Sequence, residues 1–76
     1  MSLKFKYIAL DKTINIILRN MEKSPERCAR NLTELGSNIC KKNFETNQKI
    51  QRDFIELCKK NDRIEIKKLF FNTYLQ

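Results

Sequence analysis

Histidine is absent from this sequence, and so is tryptophan. Histidine is the side chain that most often acts as a general acid or base near neutral pH. Without it, catalysis would need a carboxylate, lysine or cysteine with a strongly shifted pKa. The carboxylates instead have basic neighbours four residues away, as in Glu45–Lys49 and Glu56–Lys60, which is typical of a solvated helix face. We therefore predict that the protein is not an enzyme.

Turn-forming residues are nearly absent, since the chain has one glycine and one proline. An all-β domain and a glycine-rich phosphate-binding loop both need more of these residues. Hydrophobic residues make up 41% of the chain and charged residues 33%, which is the composition of a globular protein. We predict one all-α domain over residues 1–76, with no cofactor.

The three cysteines are too few and too far apart for a structural zinc site, which needs four Cys or His ligands in close pairs. Free thiols are typical of a reducing compartment, so we predict a cytoplasmic location. We also predict no signal peptide and no transmembrane segment, because charged residues interrupt every long apolar stretch. Lysines follow Cys58 directly and could activate it for redox sensing, although a cysteine beside an apolar stripe more often serves in packing.

A single helical phase dominates the middle of the chain. At about 100° per residue, seven apolar side chains fall in one sector, and the charges fall mostly opposite. These residues are Cys28, Leu32, Leu35, Ile39, Ile50, Phe54 and Leu57. The phase continues across the polar segment 41–49, which predicts one long amphipathic helix over about residues 25–61.

The start of this helix has a clear local signal. Ser24 is a preferred N-cap residue, and Pro25 is preferred at the first helical position. A short connection there predicts a helical hairpin with the preceding helix. The main alternative is a break near Asn43, because so long a helix leaves half of its apolar stripe uncovered. Such a break would let Cys40 and Cys58 approach each other, whereas neighbouring cysteines of a continuous helix lie too far apart for a disulfide.

The two flanking segments are also predicted to be helical. In the first, residues 3–8 alternate as a strand would, but they also fit a helix that starts near residue 5 and runs to Lys23. Asn61 and Asp62 indicate a stop followed by a new N-cap, so residues 63–75 form a third helix. A short strand over residues 63–67 is the alternative there.

The expected architecture is therefore a long central helix flanked by an N-terminal and a C-terminal helix. Three such helices leave apolar faces open, and a second copy of the chain would close them. We predict a homodimer or a higher homo-oligomer. The predicted self-association residues are Leu32, Leu35, Ile39, Ile50, Phe54, Leu57, Phe70 and Phe71.

These features predict a small, non-catalytic interaction or regulatory module that self-associates and binds a protein partner of unknown identity. The alternative is a basic regulator that binds nucleic acid, since the formal net charge is +7. The candidate phosphate-binding residues for that alternative are Lys41, Lys42, Lys49, Arg52, Lys59 and Lys60. Acidic side chains lie among them, which favours the first hypothesis.

Overall fold

The computed structural model describes residues 3–75, with side chains from Tyr7 onward, and the regular structure in this range is entirely helical. The four helices are α1 (Leu3–Leu18), α2 (Pro25–Ile39), α3 (Phe44–Lys59) and α4 (Arg63–Tyr74). The all-α prediction is confirmed. Helix rather than strand also forms over residues 3–8 and 63–67.

The prediction of one continuous helix over residues 25–61 is wrong, because the chain breaks between α2 and α3. Cys40 has an extended backbone, with φ −145° and ψ 103°. Asn43 is also extended, and its side chain accepts a hydrogen bond of 2.8 Å from the backbone N–H of Thr46. This is an N-cap that starts a new helix. The chain therefore adopts the break near Asn43, which was the alternative prediction.

The physical reason for the break is burial of the apolar stripe. Two helices that share one phase can face each other once the chain turns back, so both halves of the stripe enter one core. Cys28 near the start of α2 then lies beside Cys58 near the end of α3. The two helices are therefore antiparallel, and they make the most extensive interhelical contact of the fold.

The boundaries at Pro25 and Asp62 follow local signals, whereas α1 ends at Leu18 and not at Lys23 as predicted, because the chain turns over residues 19–23. Pro25 occupies the first turn of α2 as predicted, although the Ser24 side chain makes no capping hydrogen bond. Asn61 has a left-handed backbone with φ 55°, directly after the C-cap residue Lys60 of α3. Asp62 then caps α4 by accepting a 3.1 Å hydrogen bond from the N–H of Glu65. This confirms the predicted stop and restart.

The core is built where α4 packs on both α2 and α3, and where α1 packs on α2 and α4. Within the described residues, the backbones of α1 and α3 do not come close to each other. The buried apolar residues are Ile14, Leu18, Met21, Cys28, Ala29, Leu32, Ile50, Phe54, Cys58, Ile66, Phe70 and Tyr74. Over the same part of the chain, no helix combines the length and the apolar character needed to cross a membrane.

Candidate functional site

The residues predicted for self-association are mostly buried in the core of the single chain. Leu32, Phe54 and Phe70 are fully buried, and Ile50 is nearly so. The other four are partly buried and pack against the same core: Leu35, Ile39, Leu57 and Phe71. The fold-back of α3 onto α2 therefore covers the stripe that led us to expect a second copy at this position.

The predicted basic residues do not form one continuous face. Lys49, Arg52 and Lys59 are exposed on α3, and so are the acidic residues Glu45, Asp53 and Glu56. The remaining three lie outside the helix, at its two ends: Lys41, Lys42 and Lys60. Charges of both signs are thus mixed along the exposed side of α3.

The surface features that the sequence did not reveal are five exposed apolar side chains. They are Tyr7 (38% exposed), Ile8 (45%), Ile16 (58%), Phe44 (79%) and Ile64 (70%). Three of the five belong to α1. In this helix Ile14 and Leu18 are buried, whereas Ile8 and Ile16 lie outside the buried stripe. The presence of these two further isoleucines was the signal that the sequence offered.

A shallow apolar hollow lies where the start of α1 meets the end of α4. The rings of Tyr7 and Phe71 pack edge to face, with centroids 5.6 Å apart. One turn along, Lys67 Nζ is 2.9 Å from Asp11 Oδ1, so an ion pair fixes the same two helices. The hollow has a volume of about 420 Å³ and is lined by Tyr7, Ile8, Asp11, Lys12 and Phe71.

A second hollow lies on the outer side of α3 beside the exposed Phe44 ring. It is also about 420 Å³, and its lining is mostly amide and aromatic: Phe44, Asn47, Gln48, Gln51, Arg52 and Ile55. Side-chain amides, a guanidinium and a free aromatic face can bind planar polar groups by stacking and hydrogen bonding.

Two cysteines from different helices meet in the core. The Cys28 thiol donates a long hydrogen bond of 3.6 Å to the Ile17 carbonyl. The Cys58 thiol donates to Cys28 Sγ, and this bond is the main cause that lowers the pKa of Cys28, helped by the positive charge of Arg63. The same bond and burial raise the pKa of Cys58.

This pairing corrects the expectation about which cysteines approach each other. Turning back near Asn43 brings Cys28, rather than Cys40, to Cys58. Cys40 lies at the opposite end of α2, where it contributes to raising the pKa of Tyr74. In such a hairpin, residues that are equally far from the turn along the chain lie side by side. Cys28 and Cys58 are each fifteen residues from Asn43.

The arrangement offers apolar docking surfaces and a thiol pair rather than a closed pocket. Across the described part of the chain, no three acidic or thiol side chains come close enough to hold a metal ion. The chain matches no protein-family model, no curated protein sequence and no solved structure.

Proposed function

We propose that this protein is a non-catalytic protein–protein interaction module that self-associates through the outer face of α1. The observation that carries the proposal is the exposure of Ile8 and Ile16, which are 45% and 58% exposed although the chain buries its other apolar stripes. Exposed side chains of this size on one helix favour an interface.

The spacing of these residues suits pairing between two copies of the same helix. Ile8, Lys12 and Ile16 are four residues apart, so they form one ridge along α1. In an antiparallel pair centred on Lys12, Ile8 of one copy meets Ile16 of the other, which is the self-complementary contact of a two-fold dimer. The aliphatic part of Lys12 can lie along this ridge while its ammonium group stays in water.

Aromatic side chains extend the apolar surface toward α4. Tyr7 is 38% exposed and packs on Phe71, so the hollow between α1 and α4 borders the ridge. The ion pair between Asp11 and Lys67 links the same two helices beside this hollow. The surface is therefore carried by two helices that are fixed to each other, which reduces the entropy lost on association.

Charge predicts how the association depends on salt. Each copy has a net charge of +7, so two copies repel each other at low ionic strength. Added salt screens this repulsion. A dimer held by apolar contacts should therefore become tighter as salt increases.

Sedimentation equilibrium from low micromolar to millimolar concentration, at low and high salt, tests the proposal. We expect a monomer–dimer equilibrium that shifts toward the dimer with salt, and we expect Ile8→Glu with Ile16→Glu to give a monomer. Phe44→Glu is the matched control, because Phe44 is more exposed but lies on α3. Circular dichroism checks that each variant is folded. A wild-type monomer throughout, or a dimer that only Phe44→Glu disrupts, would contradict the α1 interface.

A second candidate function is the binding of single-stranded nucleic acid at the hollow on α3. The specific observation is Phe44, which is 79% exposed beside Arg52 and the amides of Gln48 and Gln51. Exposed aromatic rings next to basic groups serve as stacking platforms for bases. Glu45 and Glu56 on the same helix weaken the attraction for phosphates, so this function ranks second.

The two functions respond in opposite ways to the same measurements. Anisotropy of a labelled single-stranded oligonucleotide should fall steeply with salt if this second function is correct. Phe44→Ala and Arg52→Ala should each weaken binding, while the α1 double variant should not. Binding that is absent at low salt, or unaffected by Phe44→Ala, would exclude it.

A further inference from the structure

The thiols of Cys28 and Cys58 are adjacent although thirty positions separate them in sequence. Both are buried in the same core, on the two helices that face each other, each side chain is at most 2% exposed, and each is the main influence on the pKa of the other. Both are reduced in this structure. A disulfide requires thiols that are already close and helices that hold them there.

We propose that Cys28 and Cys58 form a redox-active pair that a small disulfide such as oxidised glutathione converts to an intrachain disulfide. The bond would join the first turn of α2 to the last turn of α3. It would thereby lock the two halves of the α2–α3 hairpin together, independently of the proposed α1 interface.

A hollow of about 510 Å³ at one end of the helix bundle approaches the pair from the side of Cys58, which forms part of its wall. The other lining residues are Met21, Glu22, Pro25, Lys59 and Asn61. Lys59 at the hollow and Arg63 near Cys28 give this end basic groups. Oxidised glutathione is anionic, so the local charges and the net charge of +7 both attract it.

The chemistry balances without any further reagent. The thiolate of one cysteine attacks a sulfur of oxidised glutathione, which breaks the glutathione disulfide and releases one glutathione thiolate. The second cysteine gives up its proton and attacks the protein sulfur of this mixed disulfide, releasing the second glutathione. Two protein thiols are oxidised to one disulfide, and their two protons end on two molecules of reduced glutathione.

The hydrogen bond between the thiols assists this sequence. It lowers the pKa of Cys28, and Arg63 lowers it further, so Cys28 forms a thiolate more readily than an ordinary buried cysteine. The pKa of Cys58 is raised, so Cys28 loses its proton before Cys58 does. Cys40 is outside this arrangement, and it therefore serves as the internal control.

The experiment compares oxidation of the folded and the unfolded wild-type chain. Each sample is treated with oxidised glutathione, digested without reduction and mapped by mass spectrometry. In the unfolded chain, loop closure favours the shorter Cys28–Cys40 loop over the Cys28–Cys58 loop by about fourfold. In the folded chain, we expect Cys28–Cys58 as the dominant intrachain bond, with Cys40 left outside it.

Variants and thermal melting complete the test. Oxidised Cys40→Ser should melt about 10 °C or more above its reduced form, whereas Cys28→Ser and Cys58→Ser should show no such shift. An intrachain bond that includes Cys40 in the folded wild type would overturn the proposal. So would the absence of any intrachain bond when the unfolded chain forms one. Both of these results come from the unsubstituted protein, so they do not depend on whether the serine variants fold.

Discussion

The ring of Tyr74 lies directly over Gly36, and this contact fastens the end of α4 to α2. A β-carbon built at Gly36 would overlap the Tyr74 ring atoms Cε2, Cδ2 and Cζ. The ring cannot simply move away, because Tyr74 is only 3% exposed and packs on Phe70, with ring centroids 5.1 Å apart. Glycine is therefore needed at this position for close approach of two helices.

Gly36→Ala should destabilise the protein. Alanine is the better helix former by about 1 kcal/mol, but inserting a methyl group into a closed core costs about 1–3 kcal/mol. We expect a net loss in the free energy of unfolding, measured by chemical denaturation. A gain in stability would mean that the Tyr74 ring does not lie against this glycine.

A double-mutant cycle separates this contact from other effects. Tyr74→Ala removes the ring, so Gly36→Ala in that background should become neutral or stabilising through its helix propensity alone. An equal cost of Gly36→Ala in both backgrounds would show that the overlap with Tyr74 is not the cause.

Tyr74→Phe should stabilise the protein. The hydroxyl oxygen of Tyr74 is buried, and it has no hydrogen-bond partner among the described residues. Leaving such a group unsatisfied costs about 1–3 kcal/mol, while phenylalanine keeps the ring contacts. We expect the free energy of unfolding to rise by about 1 kcal/mol. A decrease would show that the hydroxyl group is bonded in the folded protein.

Stability should fall in alkaline solution. Burial raises the pKa of Tyr74 above its ordinary 10.0, and the bond to Cys28 together with burial raises that of Cys58 above 9.0. A raised pKa in the folded state gives stability that is complete below the unfolded pKa and is lost as pH rises beyond it. Cys28, whose pKa is lowered, acts in the opposite direction.

The melting temperature should therefore decline as pH rises above about 9–10, and Tyr74→Phe should reduce the part of this decline that begins near the higher value. Melting curves followed by circular dichroism across this range provide the measurement. A melting temperature that is constant or increases there would be inconsistent with the buried tyrosine and thiol.

Alanine substitutions of two phenylalanines on α3 should change the free energy of unfolding by very different amounts. Phe54 is 0% exposed and Phe44 is 79% exposed. Phe54→Ala should lower the free energy of unfolding by about 3–5 kcal/mol, while Phe44→Ala should change it by less than about 0.5 kcal/mol. Similar effects of the two substitutions in urea titrations would mean that α3 presents a different face to the core.

The sequence predicted the local events of the fold better than its long-range contacts. The restart at Asp62 depends on a side-chain cap, and the start of α2 depends on a proline in its first turn; both features are present, although Ser24 makes no capping hydrogen bond. The break at Asn43 has an equally local cap through Thr46. We ranked it second because a stripe that keeps its phase is compatible with one long helix as well as with two helices that face each other.

Local sequence signals do not predict the contacts between helices that define the candidate sites. Gly36 meets Tyr74 because α4 packs on α2, and Cys28 lies near Cys58 because the turn after Ile39 brings α3 back along α2. The exposure of Ile8 and Ile16 likewise depends on which side of α1 receives α2 and α4. Helical periodicity identifies the buried side of each helix, but it does not identify the neighbour.

The fold-back of α3 onto α2 decides which apolar surfaces are covered and which cysteines meet, and a single distance tests it. Spin labels attached through Arg27→Cys and Lys59→Cys, with the native cysteines replaced by alanine, report on two exposed positions near the ends of α2 and α3. Circular dichroism confirms that the labelled chain keeps its helices. Neighbouring antiparallel helices predict a label separation below about 30 Å by double electron–electron resonance, since packed helix axes are about 8–10 Å apart. A continuous helix would place these positions about 48 Å apart, and a distance near that value would contradict the hairpin.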